Sequence, residues 1–169
     1  MSAIPVLISR CLLGFACRYD GIAKPSILPR LGELREISWI PICPEAEGGL
    51  PIPRPPCEIE PGAAATDVLA GNGRVLTKVG RDCTREYCRG ARLALLRAEA
   101  AGAKFALLKA RSPSCGTRSV YDGTFSRTLI RGRGITAELL AGAGITLFSE
   151  EELESFSRTL SSSRPESDY

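Results

Sequence analysis

Three short apolar runs, each ending at or just before a cysteine, constrain this chain more than any other feature. Ile4–Ser9 is followed by Cys11, Ser38–Cys43 ends on a cysteine, and Lys104–Lys109 is followed by Cys115. Runs of this length bounded by glycine, proline and polar residues read as buried strands. The clearest helix, Thr84 to Ala101, precedes the third run. Asp82 or Thr84 can cap it, Gly102 stops it, and Tyr87, Ala91, Ala94, Leu95 and Ala98 fall on one face. Strands alternating with helices predict an α/β fold, a three-layer Rossmann-like single domain with a mostly parallel sheet. In such sheets the binding crevice lies beyond the carboxyl ends of the strands, which is where the three cysteines fall.

The remaining elements are expected as follows. Lys24–Glu36 holds a helix split by Pro29 and Gly32, and Pro41 moves the second strand to an edge. Pro44–Gly62, with six prolines in 19 residues, is a rigid irregular loop. Val68–Val79 is a hairpin turning at Gly71-Asn72-Gly73. Arg111–Thr124 is a second loop, Ser126–Arg131 and Thr136–Ala143 are short helices, and Ile145–Phe148 is a last strand. Ser149 and Glu152 form a capping box for a final helix, and from about Ser161 the chain reads as disordered. The domain is thus expected over 1–152, with 153–169 as helix end and tail. No run of 18 apolar residues and no leader appear, so neither a membrane span nor secretion is expected.

The chain contains no histidine among its 169 residues, which excludes Ser-His-Asp triads, Cys-His dyads and imidazole metal ligands. Seven cysteines, an odd number, point to a reducing, cytoplasmic setting and to thiols that serve metals, catalysis or packing. No CxxC pair occurs, and Cys83 and Cys88 stand ~140° apart on a helix, which makes them a poor chelating pair. Cys11, Cys43 and Cys115 offer three soft donors suited to zinc, copper(I) or an iron–sulfur cluster; three ligands leave one metal position open. Their competing reading is plain packing, the common fate of a free cysteine.

Polar neighbours sharpen the picture. Glu45, two residues after Cys43, can act as general base in a site without histidine, or simply pair with Arg54. Ser112 and Ser114 can orient substrate or water, or bond their own turn. Lys109 and Arg111 can hold a polar substrate or balance local carboxylates. Asp20 and Asp122, each in Tyr-Asp-Gly, read as turn closers. A net charge of +3 is too small to argue for nucleic acid.

Five ordered blocks, CLLGFACRYDG (11–21), CPEAEGGLPIPRPP (43–56), RSPSCG (111–116), YDGTFS (121–126) and GRGITAELL (132–140), resemble the thiouracil desulfidase family over about residues 4–152. The resemblance implies a 4Fe–4S cluster held by Cys11, Cys43 and Cys115, with the remaining iron free for the thiocarbonyl sulfur of a small thiolated pyrimidine such as 2-thiouracil. It also implies a catalytic Glu45, chosen over Glu47, and a catalytic Ser112; Lys109 and Ser114 are expected, from the residues themselves, to bind substrate. The products expected are uracil and hydrogen sulfide, without net redox change. Cys17 is the rival ligand, and Arg10 and Cys57 depart from the family pattern. Two alternatives remain: desulfidation of thiouridine within tRNA, and a non-catalytic iron–sulfur sensing or carrier module.

Overall fold

A computed structural model describes residues 3–32, 34 and 36–163. In chain order the strands and helices are β1 (Ile4–Ser9), β2 (Ile37–Ile42), α1 (Pro44–Glu47), β3 (Cys57–Ile59), α2 (Ala65–Leu69), β4 (Val75–Thr77), α3 (Thr84–Ala101), β5 (Phe105–Leu108), β6 (Ser119–Tyr121), β7 (Leu129–Arg131), α4 (Ile135–Gly142), β8 (Thr146–Ser149) and α5 (Leu153–Ser162). Four strands form the central sheet in the order β2-β1-β5-β8, and every pairing is parallel. The chain moves from β1 outward to β2, then returns to the other side of β1 with β5. That reversal makes the carboxyl ends of β1 and β5 the switch point where such sheets bind ligands.

Period-two alternation divides the strand side chains between two helical layers. Val6, Ile8 and Leu107 face α5, where Phe156 meets Phe148 edge-on at 5.4 Å and stacks on Trp39 at 6.0 Å. Leu7, Ala106 and Leu108 face the opposite layer, against Ala94 and Ala98 of α3 and Ala137 and Leu140 of α4. A third apolar cluster, under β3 and β4, takes up Cys57, Cys83 and Cys88. The three-layer α/β architecture expected from the sequence is therefore present, and β2, with Pro41, is an edge strand.

The departures share one cause: tertiary pairing overrides local signals. Lys24–Glu36 holds only a 3₁₀ turn at Leu28–Leu31, with Gly32 at φ 64°, and Glu33 and Arg35 lie outside the described residues. The Val68–Val79 hairpin does not form, because Val68 and Leu69 belong to α2 and β4 pairs instead with β3 from the proline-rich segment. Ser126–Arg131 is not a helix: Leu129–Arg131 pairs antiparallel with Ser119–Tyr121, which lies in the expected second loop. Glu152 accepts the Ser149 N–H at 3.1 Å, as a capping box requires, yet α5 begins only at Leu153. Ser161 and Ser162 belong to α5, and residues 164–169 of the expected tail lie outside the described residues. Among the described residues no helix is long and apolar enough to cross a membrane.

Candidate functional site

At the carboxyl ends of β1, β2 and β5 the chain lines a cavity of about 530 Å³, whose walls carry Cys11, Cys17, Cys43, Cys57 and Cys115. Each of the three strand-end cysteines sits on a turn with its own local reason. Cys11 occupies a 3₁₀ turn, Arg10–Leu13, closed by Gly14 at φ 95°. Cys43 directly precedes α1, and its N–H donates to Glu47 Oε2 at 3.3 Å. Cys115 closes a turn in which Ser112 Oγ accepts the N–H groups of Ser114 (3.2 Å) and Cys115 (2.9 Å).

That last turn also caps α4. Ile135 and Ala137 N–H donate to the carbonyls of Pro113 (2.8 Å) and Ser114 (3.1 Å), satisfying donors a helix start leaves free. The approach needs glycine at 134, where a Cβ would lie 2.5 Å from the Ser114 carbonyl carbon. The three non-glycine residues with positive φ among those described, Arg111, Phe125 and Arg127, all line this cavity. Strain of this kind concentrates where the surroundings hold a binding surface in place.

Glu45 is the electrostatic centre. Its Oε2 accepts from Arg54 Nε (2.9 Å) and Nη2 (2.6 Å), and its Oε1 accepts from Tyr87 Oη (2.9 Å) and Ser114 Oγ (3.3 Å). The pairing with Arg54 exists, but it is no surface contact: the two side chains are 4% and 13% exposed. Burial opposes the charge on Arg54, and the adjacent Glu45 outweighs it, raising the guanidinium above its ordinary value. Burial first, then the Glu45 charge, drives the Tyr87 hydroxyl well above the ordinary phenol range, so it stays a donor. Glu47 turns away from the cavity to Arg10 (2.9 Å) and Arg97 (2.7 Å).

The serines form a chain. Ser112 Oγ lies 3.0 Å from Ser114 Oγ, which reaches both Glu45 and, at 3.6 Å, the Cys115 sulfur. Lys109 lines the cavity with its ammonium bonded to Glu150 and to the Ala110 carbonyl at 3.3 Å; Arg111 pairs with Glu151. Asp20 and Asp122 accept N–H groups two residues on, closing turns as read from the sequence.

Burial pushes the Cys115 thiol up to about 12, while bonds from Ser9 and Ser114 partly offset it. Cys43 rises chiefly through its contact with Cys17 and then through burial; Cys17 rises chiefly through its contact with Cys11. Among the described residues no three cysteine or acidic side chains converge on one point as a single ion requires. A cluster takes one thiolate at each of several irons, so its donors surround a volume instead.

Two contributors escaped the sequence reading. Tyr87 was legible only as part of an apolar helix face, although it is the one phenol on an alanine-rich stripe, and a buried phenol needs a partner. Glu58 is buried in β3 and accepts the N–H groups of Gly123 (3.0 Å) and Phe125 (3.2 Å), pinning the loop that carries Phe125 and Arg127 to the cavity.

Comparison with known proteins bears on this site. The 2-thiouracil desulfurase family profile matches residues 6–152. An uncharacterised protein of Bacillus subtilis strain 168, YbbK, is 41% identical over 150 residues, spanning 88% of this chain and 97% of its own length. A solved structure described as the [4Fe–4S]-dependent thiouracil desulfidase TudS matches with a TM-score of 0.78 and 40% identity, covering 95% of this chain and 99% of that one. A match over most of the chain, joined to the same fold, places it: the chain belongs to the 2-thiouracil desulfurase family.

Proposed function

We propose that the chain is an iron–sulfur-dependent desulfidase that replaces the sulfur of a thiolated pyrimidine by oxygen: C=S plus water gives C=O plus hydrogen sulfide, with no net redox change. The observation that carries this reading is a buried carboxylate, saturated by four hydrogen bonds, beside three strand-end thiols in one cavity. The donor set suits a 4Fe–4S cluster. It is thiol only, the cavity carries no imidazole, and hydroxyl donors reach sulfur, as expected where protein tunes a cluster. Cys11, Cys43 and Cys115 would hold the cluster, which supplies a Lewis-acidic iron to polarise the carbon–sulfur bond.

The chain's own residues manage water and protons. Ser112 Oγ already accepts two N–H groups, so its own proton is free to point at Ser114, and Ser114 in turn donates to Glu45. Ser114 also reaches the Cys115 sulfur, so its hydroxyl can leave Oε1 and open that oxygen to the proton of an attacking water, which Glu45 takes directly. Arg54 and Tyr87 hold the carboxylate in place. Ser112 anchors the serine pair through its three bonds and orients Ser114, which is only 2% exposed, beside the carboxylate. Lys109, balanced by Glu150, faces the polar edge of the pyrimidine.

The test is anaerobic reconstitution, an iron and sulfide count, and incubation with 2-thiouracil. About four irons per chain with stoichiometric uracil and sulfide supports the reading. A loaded cluster without sulfide release leaves the sensing or carrier module, and no cluster at all overturns the assignment. A second reading, thiouridine within tRNA, is favoured by the basic rim that Arg18, Lys78, Arg111 and Arg127 give the cavity. Steeply salt-dependent tRNA binding would support it.

A further inference from the structure

Two carboxylates line the cavity, Glu45 and Glu58. Glu45 uses both oxygens on Arg54, Tyr87 and Ser114. Glu58 does not. Its Oε1 accepts the N–H groups of Gly123 (3.0 Å) and Phe125 (3.2 Å), while among the described residues its Oε2 takes no hydrogen bond and the side chain joins no ion pair. By contrast, the cavity cations Arg10, Arg54, Lys109 and Arg111 each meet a glutamate. An idle oxygen on a buried carboxylate is costly unless something pairs with it. Glu58 is 8% exposed, yet the sealed side-chain atoms that lack a hydrogen bond among the described residues are Arg18 Nε and Thr136 Oγ1. Glu58 Oε2 is therefore not sealed in; it stays open on a residue of the cavity wall.

The position of Glu58 follows from its strand. Cys57 and Ile59 pack into the apolar cluster under β3 and β4, and period-two alternation turns Glu58 the other way, to the loop after β6. That loop is tightly seated: a Cβ at Gly123, where φ is 89°, would stand 2.4 Å from the Ile59 carbonyl oxygen. The two bonds on Oε1 account for holding the loop, and they leave Oε2 without a structural task. Lys109 supplies a hydrogen-bond donor to the same cavity, and Glu58 supplies an acceptor. A donor and an acceptor in one wall suit a ring that carries a carbonyl beside an N–H.

We propose that Glu58 determines specificity by accepting a ring N–H of the pyrimidine at Oε2. The inference rests on the desulfidase reading above. In 2-thiouracil both N–H groups flank the thiocarbonyl carbon, so an acceptor on either one fixes the rotation of the ring about its carbon–sulfur axis. The reacting carbon is then presented in a single orientation. The ring that fits carries an unsubstituted N–H beside the thiocarbonyl. A ring methylated at that nitrogen leaves the carboxylate oxygen buried and unpaired, which a site built to accept a hydrogen bond rejects.

The test uses the full chain, wild type and Glu58→Gln, reconstituted anaerobically. Glutamine keeps one oxygen for the Gly123 and Phe125 N–H groups and replaces the other by a donor, so the loop is retained while the acceptor is lost. Calorimetry reads the affinities for uracil, 1-methyluracil and 3-methyluracil, and steady-state assays read KM and kcat for 2-thiouracil. Wild type should bind one of the methylated rings at least about tenfold more weakly than uracil. Glu58→Gln should bind uracil about tenfold to a hundredfold more weakly and reduce that methyl penalty by a similar factor. Its KM for 2-thiouracil should rise by more than its kcat falls. Wild type binding all three rings alike would overturn the proposal, and that arm needs no variant. Equal weakening of all three rings in Glu58→Gln would also overturn it, leaving Glu58 a support for the loop alone. Unchanged affinities in the variant, or a variant that fails to fold, would overturn it as well. A wild-type chain that takes up no cluster, or binds these rings in the expected pattern but releases no sulfide from 2-thiouracil, fails the underlying desulfidase reading instead, which is a separate result.

Discussion

Glu45 and Arg54 show why a buried pair behaves differently from the same two residues on a surface. Separated from water, each depends on the other. The four bonds on the carboxylate offset its desolvation only while all partners are present. Removing one partner therefore tests two different things. Glu45→Gln keeps the shape and an acceptor for Tyr87 and Ser114 but cannot take a proton. It should retain a full cluster while turnover falls by about 10²-fold or more, read from iron counts beside sulfide release. Arg54→Ala strands a buried carboxylate and frees the Cys17 carbonyl, so it should cost about 3–5 kcal/mol of stability by urea titration. Sequence placed Glu45 and Arg54 nine positions apart and suggested their pairing, but not their burial, because the partners that enclose them come from α3 and from the turn after β5.

At the scale of elements, the site depends on how closely α1 approaches α3. Gly48 follows α1 and Gly90 lies within α3, and each meets the other element at backbone contact. A Cβ at Gly90 would stand 1.9 Å from the Pro44 carbonyl oxygen, and one at Gly48 would stand 2.0 Å from that of Glu86. This contact seats the turn bearing Cys43 and Glu45 against the helix bearing Tyr87. Gly90→Ala, favourable by helix propensity alone, should instead destabilise the fold by about 1–3 kcal/mol or more through overpacking. It should also lower cluster occupancy, measured as thermal melting beside iron content. Helix α3 itself was legible to the residue, because a long run with one apolar face, a terminal glycine and Asp82 accepting the Thr84 N–H (2.8 Å) makes consistent local choices. The pieces β3, β4, β6 and β7 were not, since three-residue strands exist only through their partners.

For the whole molecule, burying thiols around the cavity gives the cluster-free protein a pH limit. Cys115 moves from the ordinary thiol value of 9.0 to about 12, mainly through burial, so the folded state favours the protonated form. A raised value contributes stability that is present below pH 9 and is lost as pH rises toward 12, because the unfolded chain ionises first. The urea midpoint of the cluster-free protein should therefore fall above pH 9, and the fall should be shallower in Cys115→Ala. Equal slopes would mean that this thiol does not carry the effect. The sequence by itself determined the parallel α/β class, the edge position of β2 and the placement of three thiols at strand ends, since hydrophobic periodicity and turn residues act over short stretches of chain. Only the tertiary structure decided that Glu45 rather than Glu47 enters the cavity, that Tyr87 and Arg54 complete its bonding, and that Cys17 shares the cavity wall with Cys11 and Cys43. Those relations join residues dozens of positions apart, and a contact of that kind is set by how the layers pack, which no local pattern encodes.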